Sequence, residues 1–264
     1  VTTTNRREVL RAGAGLVAGG ALAAGCAGAP AGPSATASAD PSARASGHPA
    51  ATTSRTAPAP RPYPGQPAQI THGPRNRPRV ALTFHGQGDP QLAASLLGAA
   101  ERRGARLTVL AVGTWLDEHP DLARRILDGG HDLGNHTQRH VAVNAMSPAA
   151  ARKEITDCAD RLQRLTGSIG TWFRPSRSPT ASPEVAALAR AAGYPHVLSY
   201  DVDSLDYTRP GADAITRKVA AEVRSGSVVS LHFGYPGTVT ALPAVLHELD
   251  RRGLRAVTTT ELLS

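Results

Sequence analysis

From residue 79 onward, short β-branched runs alternate with amphipathic helical stretches. That alternation restricts the chain to a parallel sheet covered by helices. The expected strands are Val80–Phe84, Leu107–Val112, His131–Gly134, Thr171–Phe173, His196–Tyr200, Ser227–Leu231 and Leu254–Thr258. Between them the apolar spacing predicts helices over Pro90–Arg103, Pro120–Leu127, Pro148–Leu165, Pro183–Ala192, Ala212–Val223 and Leu242–Arg251. Seven β/α units of this kind either close into a (β/α) barrel or open into a doubly wound sheet. The first strand is not followed by Gly-x-Gly-x-x-Gly, which argues against a dinucleotide fold.

Unusual polar residues fall at the C-terminal ends of these strands. His85 follows the first, His136 and His140 the third, and Arg174 the fourth. Asp201, Asp203 and Asp206 follow the fifth, and His232 ends the sixth. In a β/α barrel those ends converge on one mouth, where active sites are built. Five elements thus deliver His, Asp and Arg to a common rim. The spacing His136-Thr137-Gln138-Arg139-His140 puts two imidazoles on one side of a helical turn, suited to zinc or another divalent ion. Position 137 is Thr, so the Glu base of a His-Glu-x-x-His protease is absent. His131, His119 and His247 read as structural.

The chain carries a formal charge of +8, but 8 Arg against 2 acids lie in residues 1–78 and 21 Arg plus Lys against 19 acids in the rest. A body at +2 with only ten aromatic residues is not a nucleic-acid platform. Asn5-Arg6-Arg7 followed by an uncharged run from Ala12 to Gly25 reads as a twin-arginine export signal over residues 1–26. From Ala27 to Ala68, 35 of 42 residues are Ala, Gly, Pro, Ser or Thr, so residues 27–78 are expected to be a disordered tether. Fully extended, the stretch from Ala27 to Ala68 reaches roughly 130 Å at ~3.1 Å per residue. Two cysteines cannot form a disulfide framework. Cys158, within a helical pattern, reads as a small packing residue.

Leu22-Ala23-Ala24-Gly25-Cys26 resembles a bacterial lipobox. The resemblance implies lipidation of Cys26 and anchoring to the outer face of the cytoplasmic membrane. Gly130-His131-Asp132-Leu133-Gly134-Asn135-His136-Thr137-Gln138-Arg139-His140 resembles the second motif of the polysaccharide deacetylases, carbohydrate esterase family 4 with the NodB-homology domain. The other motifs follow in order across 79–264: Ala81-Leu82-Thr83-Phe84, Phe173-Arg174-Pro175, Asp203-Ser204-Leu205-Asp206-Tyr207 and Leu231-His232. The resemblance implies a distorted (β/α) barrel and a hydrolase that removes acetyl groups from amino sugars of cell-wall or related polysaccharide. It implies that His136 and His140 hold a divalent metal, zinc by ligand type, and that His232 is the general acid. Asp203 would tune His232, Arg174 would orient the base, and Asp206 and Tyr207 would contact substrate.

The first motif departs from the family. Thr-Phe-Asp-Asp-Gly, in which the first Asp is the base and the second a metal ligand, is here Thr83-Phe84-His85-Gly86-Gln87-Gly88-Asp89. Catalytic zinc takes three protein ligands plus water. Either His85 becomes the third ligand with Asp89 as base, or Asp89 curls back to the metal and His85 serves as base. If neither holds, the chain is a glycan-binding protein without turnover. In the third motif, Ser176-Arg177 stands where the family has Pro-Tyr, and Tyr207 replaces Trp in the fourth.

Overall fold

A computed structural model of the protein describes residues 56–264. Its strands are β1 (Gln69–Ile70), β2 (Arg79–Gly86), β3 (Thr108–Ala111), β4 (Asp132–Asn135), β5 (Val197–Leu198), β6 (Val202–Asp203), β7 (Val228–His232) and β8 (Arg255–Val257). The helices are α1 (Pro90–Arg102), α2 (Gly113–Glu118), α3 (Pro120–Asp128), α4 (Pro148–Thr166), α5 (Pro183–Ala191), α6 (Ala212–Glu222), α7 (Pro236–Arg251) and α8 (Thr259–Leu263). The sheet runs β4-β3-β2-β7-β6, every ladder parallel, with β8 also on β2. Single bridges from Asn135 to Phe173 and from Phe173 to Val197 continue the path to β5, which pairs with β1. The expected strand over His196–Tyr200 is therefore two short ones. Its first half, β5, sits at one end of the ladder and its second, β6, pairs with β7 at the other. The covalent chain from Leu198 to Val202 closes the distorted barrel where no ladder does. Thr171–Phe173 contributes bridges rather than a regular strand.

The helices start where local chemistry dictates. Pro occupies the first turn of α1, α3, α4, α5 and α7, where its missing N–H costs nothing. Asp89, Ser147, Ser182 and Thr258 cap α1, α4, α5 and α8 through their side chains. Helix α7 begins six residues before its expected start and carries Pro243 inside. Burial of Ala241, Leu242, Val245 and Leu249 on its core face offsets the backbone hydrogen bond that Pro243 removes. The helices pack on the outer face of the sheet over Val80, Leu82, Phe84, Val109 and Val229.

Alternation along β2 turns Ala81, Thr83 and His85 to the barrel interior, in layers. Ala81 lies in register with Val228 beside Trp172, Ile70 and Tyr63; Thr83 is level with Ser230; His85 is level with His232. The interior thus grades from apolar at the strand starts to imidazole at the strand ends.

This layering corrects the boundary of the tether. Residues 56–78 belong to the packed body: Ala57, Tyr63 and Ile70 are buried, and β1 extends the sheet. The Tyr63 ring stacks on Trp172 with centroids 5.3 Å apart, and the Tyr63 N–H donates to His196 Nε2 at 3.0 Å. Composition predicted disorder because so few residues in this segment are apolar, but these few fill the floor of the barrel. The signal region and Cys26 lie outside the described residues. Among the described residues no helix is long and apolar enough to cross a membrane.

Candidate active site

His136 and His140 lie in the loop that follows β4. This loop is not the helical turn that the spacing suggested. Asn135 Oδ1 accepts the Thr137 N–H at 2.8 Å, and Thr137 and His140 adopt left-handed φ values of 68° and 55°. Such values are costly for side-chain-bearing residues and need a supporting frame. Glu154 of α4 supplies it: its buried carboxylate accepts the Arg139 N–H at 2.8 Å and Arg139 Nε at 2.6 Å, while its carbonyl accepts the Gln138 N–H. The reversal brings the two imidazole centroids within 5.0 Å.

His85 completes the cluster from the end of β2. One ring nitrogen from each of His85, His136 and His140 lies within 4.8 Å of the others. His136 Nδ1 donates to the Arg174 carbonyl at 3.0 Å, which leaves Nε2 with its lone pair exposed. That Nε2 is buried and has no hydrogen-bond partner, a costly state that a metal ion would relieve. Burial, the largest cause, holds His85 and His136 well below the ordinary imidazole pKa. Burial, then Arg177 and His232, pulls His140 down to about 4. Three neutral imidazoles facing one point suit zinc or a similar divalent ion, and among the described residues no fourth His, Cys, Asp or Glu joins the set.

Asp89 stands outside this cluster. Its side chain is exposed and accepts the Gln91 N–H at 2.7 Å, capping α1. Gly86, where the family carries its metal-binding Asp, is packed against β3. A Cβ there would sit 2.9 Å from Val109 Cγ1 and 3.1 Å from Ala111 Cα.

His232 faces His85 across the β2–β7 register, with ring centroids 4.2 Å apart. Its Nδ1 lies 2.7 Å from Oδ1 of Asp206, not of Asp203. Asp206 is buried at 1% exposure and also accepts the His232 N–H and the Thr238 hydroxyl, so it is not free to contact substrate. Asp203 is half-buried, accepts the Leu205 N–H at 3.1 Å and lines the pocket. The carboxylate beside His232 is thus Asp206 rather than Asp203, because Leu205, at φ 56°, turns the chain back onto β7. Asp201 is structural, held by Arg75 at 2.8 Å and by the Val228 N–H.

Arg174 is fully buried behind His85. Its Nε donates to the Leu198 carbonyl, Nη2 donates to Thr83 Oγ1 and the Ser199 carbonyl, and Nη1 approaches His85 Nε2 at 3.4 Å. Among the described residues no carboxylate forms an ion pair with it. Burial draws its pKa down to about 10. The ring that Arg174 approaches is therefore His85, whose Nε2 also lies 3.1 Å from Ser230 Oγ.

His85, His140, Asp203 and His232 open on a cavity of about 460 Å³. Tyr207, 45% exposed, stands on its wall with its ring 5.4 Å from that of His232. The wall also contains Arg177 of the third motif, and Gln87, Tyr200, Ser230 and Tyr235, which were not expected there. Period-two alternation back from His232 does point to Ser230. Cys158 is buried, with its thiol pushed up to about 12 by burial, and takes no part.

Residues 72–197 match the family model for polysaccharide deacetylase. A peptidoglycan-N-acetylglucosamine deacetylase of Bacillus cereus is 31% identical over 194 residues, spanning 72% of this chain and 90% of that protein. A chitooligosaccharide deacetylase of Bradyrhizobium is 29% identical, over 66% of this chain and 85% of that one. Among solved structures, BA3943 of Bacillus anthracis, described as a CE4 family pseudoenzyme, superposes with a TM-score of 0.71 at 25% identity, covering 75% of this chain and 70% of that one. A mutant of BA3943 is described as having restored enzymatic activity. The Bc1960 peptidoglycan N-acetylglucosamine deacetylase gives a TM-score of 0.69 at 26% identity, over 74% and 92% of the two chains. The chain belongs to the polysaccharide deacetylase family.

Proposed function

We propose that this protein is an exported, metal-dependent hydrolase that removes acetyl groups from amino sugars of a cell-wall or related polysaccharide. The observation that carries the reading is the buried, unpartnered Nε2 of His136 facing His85 and His140 beside an open pocket. His85, His136 and His140 would hold the ion. A divalent cation bound there supplies Lewis-acid polarisation of the acetyl carbonyl and of the attacking water.

The proton work falls to His232. Asp206 fixes the proton on Nδ1, so the neutral ring presents a basic Nε2. With Asp89 committed to a helix cap and His85 among the ligands, His232 is the remaining group suited to accept the water proton. It then returns that proton to the departing amine as the C–N bond breaks. Arg174 acts behind the ligands as a fixed positive charge, and Tyr207 offers an aromatic face to a sugar ring.

Export through the twin-arginine signal and anchoring through lipid on Cys26 are part of this proposal and rest on the sequence of residues 1–26. The test is acetate release from chitooligosaccharides and peptidoglycan by purified protein with and without zinc. Metal-dependent release supports the proposal; no release from any of these with the metal present counts against it.

A second reading is supported by the two Asp residues missing from the first motif and by the likeness to a CE4 pseudoenzyme. On that reading the protein binds glycan without turnover. It predicts binding that is unchanged in His136→Ala.

A further inference from the structure

The end of the barrel opposite the pocket is crowded with arginines. Arg79 opens β2 and Arg255 opens β8, and the parallel register sets the two residues side by side. Arg106 precedes β3, its N–H donating to the Ala256 carbonyl at 3.2 Å. These three line a cleft of about 270 Å³ together with Val257, Glu261 and Ser264. Arg77 and Arg61 reach the same cleft at Ser264, whose carbonyl and hydroxyl accept their Nη groups at 2.6 and 2.8 Å. Like charges abreast on paired strands are unfavourable, so an anion in front of them is the natural complement.

Acidic side chains offset little of this charge. Glu261 is held by Arg106 at 2.7 Å, and Asp250 lies 3.6 Å from Arg103 beside Arg255. Among the described residues, Arg61, Arg77, Arg79 and Arg255 form no ion pair with an acidic side chain. Arg61, Arg77, Arg103 and Arg255 are exposed.

The described chain enters at this same end. Thr56 lies beside Gly167, the C-cap of α4, where a Cβ would sit 3.3 Å from Thr56 Cγ2. The Thr171 hydroxyl donates to the Pro58 carbonyl at 2.8 Å. Strand starts and helix C-termini share one end of a β/α barrel, and the strand ends carrying His85 and His232 form the other. The segment leading back to Cys26 therefore joins the body at the arginine end.

Building on the export and anchoring proposed above, we propose that this end of the barrel docks on the anionic phospholipid headgroups of the membrane. Fixed negative surface charge attracts each arginine held within a Debye length of it. Lipid on Cys26 keeps the body within reach of that surface, so a modest attraction is enough. Docked in this way, the pocket opens away from the membrane.

The test uses the full-length chain in a Cys26→Ser background, so that the anchor does not mask the contribution of the body. Its partition is measured onto vesicles of equal parts phosphatidylglycerol and phosphatidylcholine, and onto phosphatidylcholine alone. The triple variant Arg77→Gln, Arg103→Gln, Arg255→Gln is expected to bind the anionic vesicles about ten-fold more weakly or worse. A control with the same charge change elsewhere, Arg152→Gln, Lys153→Gln, Arg217→Gln, is expected to lose far less. Arg255→Gln alone, which removes an exposed side chain without an ion pair, is expected to show part of the loss even if the triple variant is unfolded by thermal melting. Equal loss in the triple variant and the control, or undiminished binding in folded Arg255→Gln and triple variants, would overturn the proposal. Binding to soluble poly(glycerol phosphate) without preference for the anionic vesicles would do so too, making the surface a polymer site. Anchoring is read separately, from the mass of the processed wild-type chain. Absence of lipid with the vesicle preference intact overturns the anchoring reading alone, and lipidation without the preference overturns this inference alone.

Discussion

His232 Nδ1 lies 2.7 Å from Asp206 Oδ1, and the other oxygen of that carboxylate accepts the His232 backbone N–H at 2.8 Å. One buried acid thus fixes both the tautomer and the position of the imidazole at the pocket. Replacing Asp206 by Asn removes the acceptor for Nδ1–H and frees the ring to adopt the wrong tautomer. The expected loss in kcat/KM is on the order of 10²- to 10⁴-fold. Asp203→Asn, lacking this contact, is expected to lose far less. Acetate-release kinetics on the two variants side by side check the assignment, and the reverse order would restore Asp203 to the role first expected of it.

Asp89 and His136 separate helix capping from metal binding. Asp89→Ala is expected to cost about 1 kcal/mol of stability through loss of the α1 cap. It should leave the zinc content of the purified protein unchanged. His136→Ala is expected to abolish stoichiometric zinc. Metal analysis together with denaturant unfolding reads both outcomes.

Stability should fall with acid in the metal-free protein. Unfolded imidazoles titrate near 6.5, whereas burial keeps His85 and His136 neutral to well below that value and His140 to about 4. In the window between, the unfolded chain binds more protons than the folded one, so unfolding free energy decreases as pH falls from 6.5 toward 4. Urea melts of chelator-treated protein at pH 7 and pH 5 check the sign. Zinc binding, which needs neutral ligands, should vary little from pH 8 downward and weaken as the pH nears about 4, where His140 takes up a proton.

The segment ahead of β2 is part of the fold. A chain shortened to begin at Thr56 should melt like the whole protein. One shortened to begin at Arg79 loses the buried Tyr63 and Ile70 side chains and the β1 pairing. Burial of such side chains contributes about 1.5–3 kcal/mol each, so the second shortened chain should melt many degrees lower. Equal melting temperatures would refute the packing role of residues 56–78.

Much of this architecture can be read along the chain, because helix starts and strand alternation are local signals. Asp89-Pro90 has the form of a helix cap followed by a first-turn proline, and that signal outranks any role for Asp89 at a metal. The packing of residues 56–78 was hidden because Tyr63 is one apolar residue in a Pro/Ala-rich run, and its partner Trp172 lies far along the sequence. The exchange between Asp203 and Asp206 was equally hidden. Asp203 ends β6 and Asp206 lies three residues on, and a left-handed Leu205 decides which one turns inward. The His85 cluster was legible only as one of two alternatives, since the loop from Gly86 to Asp89 could have bent either way.

The most direct test of the metal centre is X-ray absorption at the zinc edge on the purified protein. The account predicts one zinc per chain with three imidazole nitrogens at about 2.0–2.1 Å and a light fourth donor. It also predicts that one imidazole is lost in His85→Ala. A shell with only two imidazoles, or one unchanged in His85→Ala, would contradict it.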